Sequence, residues 1–164
     1  MIKELILVRH GKSGWDYDSI SDIDRVLKEH GIIDAHKMSE KLFKKNYIPN
    51  LIISSSAARA MHTASIFTRT LKLDFSNLII SSDLYLASPN TVMTIIQKTD
   101  NKINSLLIVG HNPTFTDLVN QFRKTPIDNM PPASVAGFKF KISTWHEILN
   151  KKPTESFFDY PKNS

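Results

Sequence analysis

The sequence contains no cysteine. That excludes disulfides, a thiol nucleophile and cysteine-ligated zinc, and it suits a reducing cytosol. Long apolar runs are missing too. No stretch approaches the roughly 20 residues that cross a bilayer, and the first apolar run, Leu5-Ile6-Leu7-Val8, is too short for a secretory signal. A soluble, cytoplasmic protein with no membrane partner is the expectation. Several chemical motifs are absent as well. There is no Gly-rich phosphate loop ending in Lys-Ser/Thr, no G-x-S-x-G elbow and no two-histidine zinc motif, since His146-Glu147 lacks its second histidine. No metal and no cofactor are expected.

What remains is an ordinary globular composition: 164 residues, 41% hydrophobic and 23% charged. This is enough chain to bury a core without disulfides, and a single domain over residues 1–164 is expected. The net charge of +5 favours anionic partners. The lysines are scattered, with small clusters at Lys44-Lys45 and Lys151-Lys152 and no aromatic interleaving, so nucleic acid is not an expected partner.

Apolar runs alternate with helical patterns. Strands are expected at 4–9, 51–54, 78–81 and 105–110, each rich in Ile, Leu or Val. Helical spacing runs through Ala35, Met38, Leu42 and Phe43 in residues 34–43, and through Ala60, Ala64, Phe67 and Leu71 in residues 57–71. Residues 89–98 and 113–123 read as two more helices, each with Pro in its first turn (Pro89, Pro113) after a capping residue (Ser88, Asn112). Such alternation argues for a mostly parallel sheet covered on both faces. Phe138–Ser143 alternates apolar and polar residues, as a half-exposed strand near the sheet edge does. Residues 126–132 form a loop with three prolines, and the polar tail 150–164 is expected to pack loosely, with Phe157-Phe158 able to dock.

Two of the strand candidates end in histidine. Leu5-Ile6-Leu7-Val8 runs into Arg9-His10-Gly11, and Leu106-Leu107-Ile108-Val109-Gly110 runs into His111-Asn112-Pro113. Strand exits of this kind are where α/β sheets gather ligand and catalytic groups. A third element joins them: Ser54-Ser55-Ser56 follows a strand, and Arg59 stands in the first turn of the next helix. Phosphoryl transfer needs an in-line nucleophile and positive donors around the equatorial oxygens. A neutral imidazole is a competent nucleophile near pH 7, and arginine's planar fork matches phosphate oxygens. One histidine can attack while two arginines and a second histidine hold the group. That points to a phosphorylated substrate, and to a phosphate or sulfate anion in the pocket.

These segments resemble the three core motifs of the histidine phosphatase superfamily. The motifs are Leu7-Val8-Arg9-His10-Gly11-Lys12-Ser13, Ser54-Ser55-Ser56-Ala57-Ala58-Arg59-Ala60-Met61-His62-Thr63-Ala64 and Val109-Gly110-His111-Asn112-Pro113. The resemblance implies a phosphoglycerate mutase-like three-layer α/β/α sandwich with a mostly parallel central sheet. It implies that His10 is the phosphorylated nucleophile and that Arg9, Arg59 and His111 complete the catalytic pocket. Ser13 and Asn112, inside the first and third motifs, are candidate substrate contacts. Asp22-Ile23-Asp24-Arg25-Val26-Leu27 with Gly31 resembles the Asp-x-x-Arg-Pro-Leu…Gly segment of the small SixA-like phosphohistidine phosphatases, with Val26 in place of proline. Arg25 there reads as a structural ion-pair residue.

Mutase-like members of that superfamily carry a glutamate after the third strand as general acid. Here Ser82-Asp83-Leu84-Tyr85-Leu86-Ala87-Ser88-Pro89 offers Asp83 instead, with Asp16 and Asp18 as rival candidates. An alkoxide leaving group needs such a donor, whereas imidazole titrates near neutrality and leaves as a neutral ring. The expected activity is therefore metal-independent phosphatase turnover of a phosphohistidine protein through a phosphohistidine intermediate. A small phosphomonoester substrate and a non-catalytic phosphate-binding scaffold are the alternatives. The other histidines, His30, His36, His62 and His146, read as surface or structural residues.

Overall fold

The computed structural model describes residues 1–15 and 18–163. Among these residues six strands form one sheet: β1 (Ile2–Arg9), β2 (Leu51–Ser55), β3 (Leu78–Ser81), β4 (Ser105–Gly110), β5 (Val135–Lys141) and β6 (Glu155–Asp159). Their order is β3-β2-β4-β1-β5-β6. The first four run parallel, and β5 and β6 extend the sheet antiparallel beyond β1. Four helices cover it: α1 (Glu29–Lys44), α2 (Ala58–Thr70), α3 (Pro89–Gln97) and α4 (Thr114–Phe122). Among the described residues no helix is long and apolar enough to cross a membrane.

Alternation along β1 shows why both faces need a helical layer. Leu5 and Leu7 belong to one apolar cluster, with α3, α4 and Trp145, while Ile6 and Val8 belong to the other, with α1 and α2. All four side chains are fully buried. Strands covered on both sides read as continuous apolar runs, which is why β1, β2 and β4 are legible in the sequence. The expected three-layer α/β/α sandwich with a mostly parallel sheet is the architecture found.

Four local expectations need correction. β1 begins at Ile2, two residues before the expected start, and takes in a fully buried lysine. Lys3 Nζ donates to the carbonyls of Asn101 (2.8 Å) and Ile103 (3.1 Å) and to Asn104 Oδ1 (3.0 Å), which offsets its desolvation. α1 begins at Glu29, five residues before the expected Asp34, and carries Gly31 in its first turns. α4 begins at Thr114 with Pro113 in the N-cap position, one residue later than expected.

The tail differs most. Residues 155–159 are a true edge strand, β6, so β5 lies inside the sheet with only Lys141 exposed. Phe157 packs its ring 4.6 Å from that of Tyr47 and occupies the space above Gly137, where a Cβ would stand 2.1 Å from the ring. Phe158 packs on the opposite cluster. Two adjacent aromatics pointing to opposite faces are enough to dock a short, otherwise polar strand.

Candidate active site

The β1–β4 register pairs Arg9 with Gly110, so His10 and His111 leave the sheet side by side. Their ring centroids lie 5.1 Å apart. On the far side of β4, β2 ends in Ser55, and α2 starts three residues later with Arg59 as its second residue. This is the point where strand order reverses, since the chain leaves β1 for β2 and later returns to place β4 between them. Arg9, His10, Arg59 and His111 line one cleft of about 630 Å³, together with Ser13, Trp15, Asp22, Arg25, Tyr85 and Asn112.

Hydrogen bonds set the two imidazoles differently. His10 Nδ1 lies 2.7 Å from the Gly11 carbonyl oxygen. A carbonyl only accepts, so Nδ1 carries the proton and Nε2 carries the lone pair. Gly11 is itself held by its N–H donating to Thr63 Oγ1 at 3.0 Å, and the Thr63 hydroxyl donates to the Arg59 carbonyl at 2.8 Å. His111 Nε2 lies 2.7 Å from Ser55 Oγ, which already accepts from the Ala57 N–H at 3.2 Å. The Ser55 hydroxyl has its hydrogen to donate to Nε2, the arrangement in which neutral His111 carries its ring proton on Nδ1. Burial lowers the His10 pKa to about 3, with the charges of Arg59 and Arg9, and of His111 where acid protonates it, adding to the shift. Burial, then Arg59, lowers His111 to about 4. Both rings are neutral at pH 7 in the absence of a bound anion.

The arginines are anchored but not saturated. Arg9 Nη1 donates to the Met130 carbonyl at 2.7 Å. Arg59 Nη1 donates to the Asp22 carbonyl at 2.7 Å and Nη2 to Asp22 Oδ2 at 3.0 Å. The buried Nε of each has no hydrogen-bond partner. Buried donors without acceptors are uncommon in folded proteins and point to a missing ligand or water. Both guanidiniums thus retain donor capacity beside His10.

Asp22 and Tyr85 both line the cleft, and sequence reading assigned a site role to neither, though Asp22 opens the Asp-x-x-Arg segment. Asp22 Oδ2 also accepts from the Tyr85 hydroxyl at 2.5 Å, and Oδ1 accepts from Arg25 Nε at 3.0 Å. Those bonds, Tyr85's first, hold the Asp22 carboxyl down at about 2, so it is ionised throughout the physiological range. The Asp-x-x-Arg spacing was the available signal for the Asp22–Arg25 pair. Nothing local announces that Asp22 also meets Arg59 and Tyr85, since the chain brings these together only through α2 and the segment after β3. Arg25 is the ion-pair residue expected, and it also donates to Ser13 Oγ at 3.0 Å and stacks 4.2 Å above the Trp15 ring.

The general-acid candidates fare otherwise. Asp83 is exposed on a short 3-10 turn (Ser82–Leu84) and does not line the cleft, because that turn buries Leu84 and delivers Tyr85 instead. Asp18 is exposed and outside the cleft lining. Asp16 lies outside the described residues. Asn112 reaches the cleft, but its amide donates to Asn129 Oδ1 (2.9 Å) and the Met130 carbonyl (3.1 Å), and its Oδ1 accepts from Thr116. It ties α4 to the loop that anchors Arg9. Among the described residues no three His, Cys, Asp or Glu side chains gather in a way that could hold a metal ion.

A sequence profile of the histidine phosphatase superfamily (branch 1) matches residues 5–84. An uncharacterised chloroplastic protein of Arabidopsis thaliana is 43% identical over 61 residues, 37% of this chain and 28% of that protein. An uncharacterised Mycobacterium tuberculosis protein is 31% identical over 111 residues, 68% of this chain and 66% of its own length. The matches thus span less than two thirds of these relatives' lengths. The structure of the protein histidine phosphatase SixA complexed with tungstate superposes with a TM-score of 0.80, covering 98% of both chains at 21% identity. Residues 5–84 thus match the histidine phosphatase superfamily, and the fold of the chain is that of the solved SixA structure.

Proposed function

We propose that the protein is a metal-independent phosphatase in which His10 Nε2 takes the phosphoryl group and water then releases it. The observation that carries this reading is the His10–Gly11 bond. It places the proton on Nδ1 and leaves Nε2 as an uncharged lone pair in a cleft with two guanidiniums and a second imidazole. Arg9 and Arg59 supply the positive field for the equatorial oxygens, and His111 offers Nδ1–H as a further donor. A bound dianion raises the proton affinity of His111, so it can gain a second proton when the phosphoryl group arrives.

The substrate we infer is a phosphohistidine side chain on a protein. The single carboxyl group among the described cleft residues is Asp22, and three donors keep it ionised. It is not a proton donor for an alkoxide. An imidazole leaving group needs least help, because its second ring nitrogen takes a proton near neutral pH and the ring then departs uncharged. The likeness to a SixA structure is compatible with this substrate class. The test compares turnover of a phosphohistidine protein, p-nitrophenyl phosphate and sugar phosphates under one set of conditions. Phosphohistidine should give the highest kcat/KM. A sugar phosphate preferred over phosphohistidine would establish a small-molecule phosphomonoesterase instead.

A further inference from the structure

A second groove of about 540 Å³ opens beside the catalytic cleft, and the two share Lys12 and Pro132 in their linings. Lys12 is two residues beyond His10, so the groove starts next to the nucleophile. Its lining is largely apolar, built from Pro131, Pro132, Pro161 and the Tyr160 ring. Lys12, Lys28 and Lys162 border it, all exposed. Among the described residues of the groove the one carboxylate, Asp34, is mostly buried and lies 3.1 Å from His30 Nε2. The walls are firmly held: the Lys28 N–H donates to the Lys12 carbonyl at 2.8 Å, and Lys37 Nζ donates to the Pro161 carbonyl.

Neither the phosphoryl chemistry nor the fold requires this groove. An apolar floor with an ammonium rim suits a polypeptide segment that pairs an apolar side chain with carboxylates. Sugar phosphates, the competing small substrates, have no apolar part to place there. Continuity with the catalytic cleft identifies which polypeptide. We infer that the groove docks the acidic segment flanking the phosphohistidine of the substrate protein, and so selects protein over free phosphoramidate. This rests on the catalytic reading above and adds to it a determinant of specificity. Lysine stems lie along apolar surface while their charged ends remain in water, so the rim contributes steering and register more than buried ion pairs do.

The experiment uses three probes: phosphoimidazole, and two synthetic phosphohistidine peptides flanked either by aspartate and leucine or by lysine and leucine. The full chain is compared with a Lys28→Glu/Lys162→Glu double variant, whose changes are exposed and outside the catalytic cleft. The wild type should favour the acidic peptide by about tenfold in kcat/KM, and the double variant should lose that preference through KM. Turnover of phosphoimidazole should be the same for both proteins. Unchanged KM for the acidic peptide in the double variant overturns the groove assignment. A separate arm measures fluorescence-anisotropy binding of the unphosphorylated acidic peptide, where tighter binding to the wild type than to the double variant is expected. Equal binding also overturns the assignment. Failure of both proteins on phosphoimidazole counts against the catalytic reading, and the binding arm then decides the groove on its own.

Discussion

Asp22 holds Arg59 at two points, its carbonyl accepting from Nη1 at 2.7 Å and its carboxylate from Nη2 at 3.0 Å. Arg59 keeps only 4% of its surface exposed, and Asp22 is the partner of both its Nη atoms. With one hydrogen on each Nη committed to Asp22, the remaining Nη hydrogens are what Arg59 has to offer a phosphoryl group in the proposed mechanism. In the proposed mechanism Asp22 is a positioning residue, which acts through its hold on Arg59.

Asp22→Asn should raise KM and lower the stability of the protein by about 1 kcal/mol at pH 7, a value discounted because the side chain is about one third exposed. The carboxyl pKa is lowered from 3.8 to about 2 on folding. Its stabilisation is thus fully present above pH 4 and fades as pH falls toward 2. Melting temperatures of wild type and variant should differ at pH 7 and converge in acid. A gap that persists unchanged at pH 2 would show that charge is not its origin.

His10→Ala should lose nearly all turnover while the protein stays folded, and the wild type should yield acid-labile phosphate after a rapid quench. The same residue governs acid sensitivity. Its pKa falls from 6.5 in the unfolded chain to about 3 in the folded one, so the unfolded state binds the extra proton below pH 6.5. Wild-type stability should drop by on the order of 2 kcal/mol between pH 7 and pH 4, and less in His10→Ala. Thermal melts across that range check the sign. Robust turnover by folded His10→Ala would sink the nucleophile assignment.

The readable parts of this molecule are those where local pattern and tertiary role coincide. Leu5–Val8 and Leu106–Val109 are apolar because helices cover both faces, so strand, burial and the histidine exit can be inferred together. Lys3 and β6 were illegible for the opposite reason. The three acceptors for Lys3 come from residues 101–104, and β6 is held by Tyr47, Gly137 and the β5 ladder. In the cleft, residues on strand exits could be found from the sequence. Tyr85 and the Asp22–Arg59 contact could not, because they depend on how separate segments meet.

Activity should survive dialysis against EDTA. Arg9 and Arg59 supply positive charge and His111 a hydrogen-bond donor beside His10, so the proposed transfer has no step that calls for a bound cation. The measurement is kcat on the preferred substrate before and after chelation. Loss of activity restored by added zinc or manganese would refute the metal-independent mechanism.

Arg59→Lys should be costly despite conserving charge. One ammonium cannot reach the Asp22 carbonyl, the Asp22 carboxylate and a phosphoryl oxygen in a fixed plane. The lost charge-assisted bonding is about 1.5–3 kcal/mol, roughly ten- to a hundredfold in kcat/KM. A lysine variant within twofold of wild type would show that Arg59 does not clamp the phosphoryl group.

Gly31→Ala tests how the fold delivers the nucleophile. A Cβ at Gly31 would stand 2.3 Å from the Lys12 carbonyl oxygen and 2.8 Å from its nitrogen, and both are backbone atoms that cannot swing aside. Reciprocally, a Cβ at Gly11 would stand 2.8 Å from the Gly31 oxygen. The variant must therefore push the Gly11–Lys12 backbone, whose Gly11 carbonyl orients His10 Nδ1. Stability should fall by about 1–3 kcal/mol, and a displacement approaching 1 Å at His10 should cost about a hundredfold in kcat. Gly137→Ala is the matched control. Its Cβ would stand 2.1 Å from the Phe157 ring at the β5–β6 pair, away from the cleft, so it should lose stability while retaining kcat. If Gly31→Ala also keeps wild-type kcat, the packing of α1 against the first strand exit does not position His10.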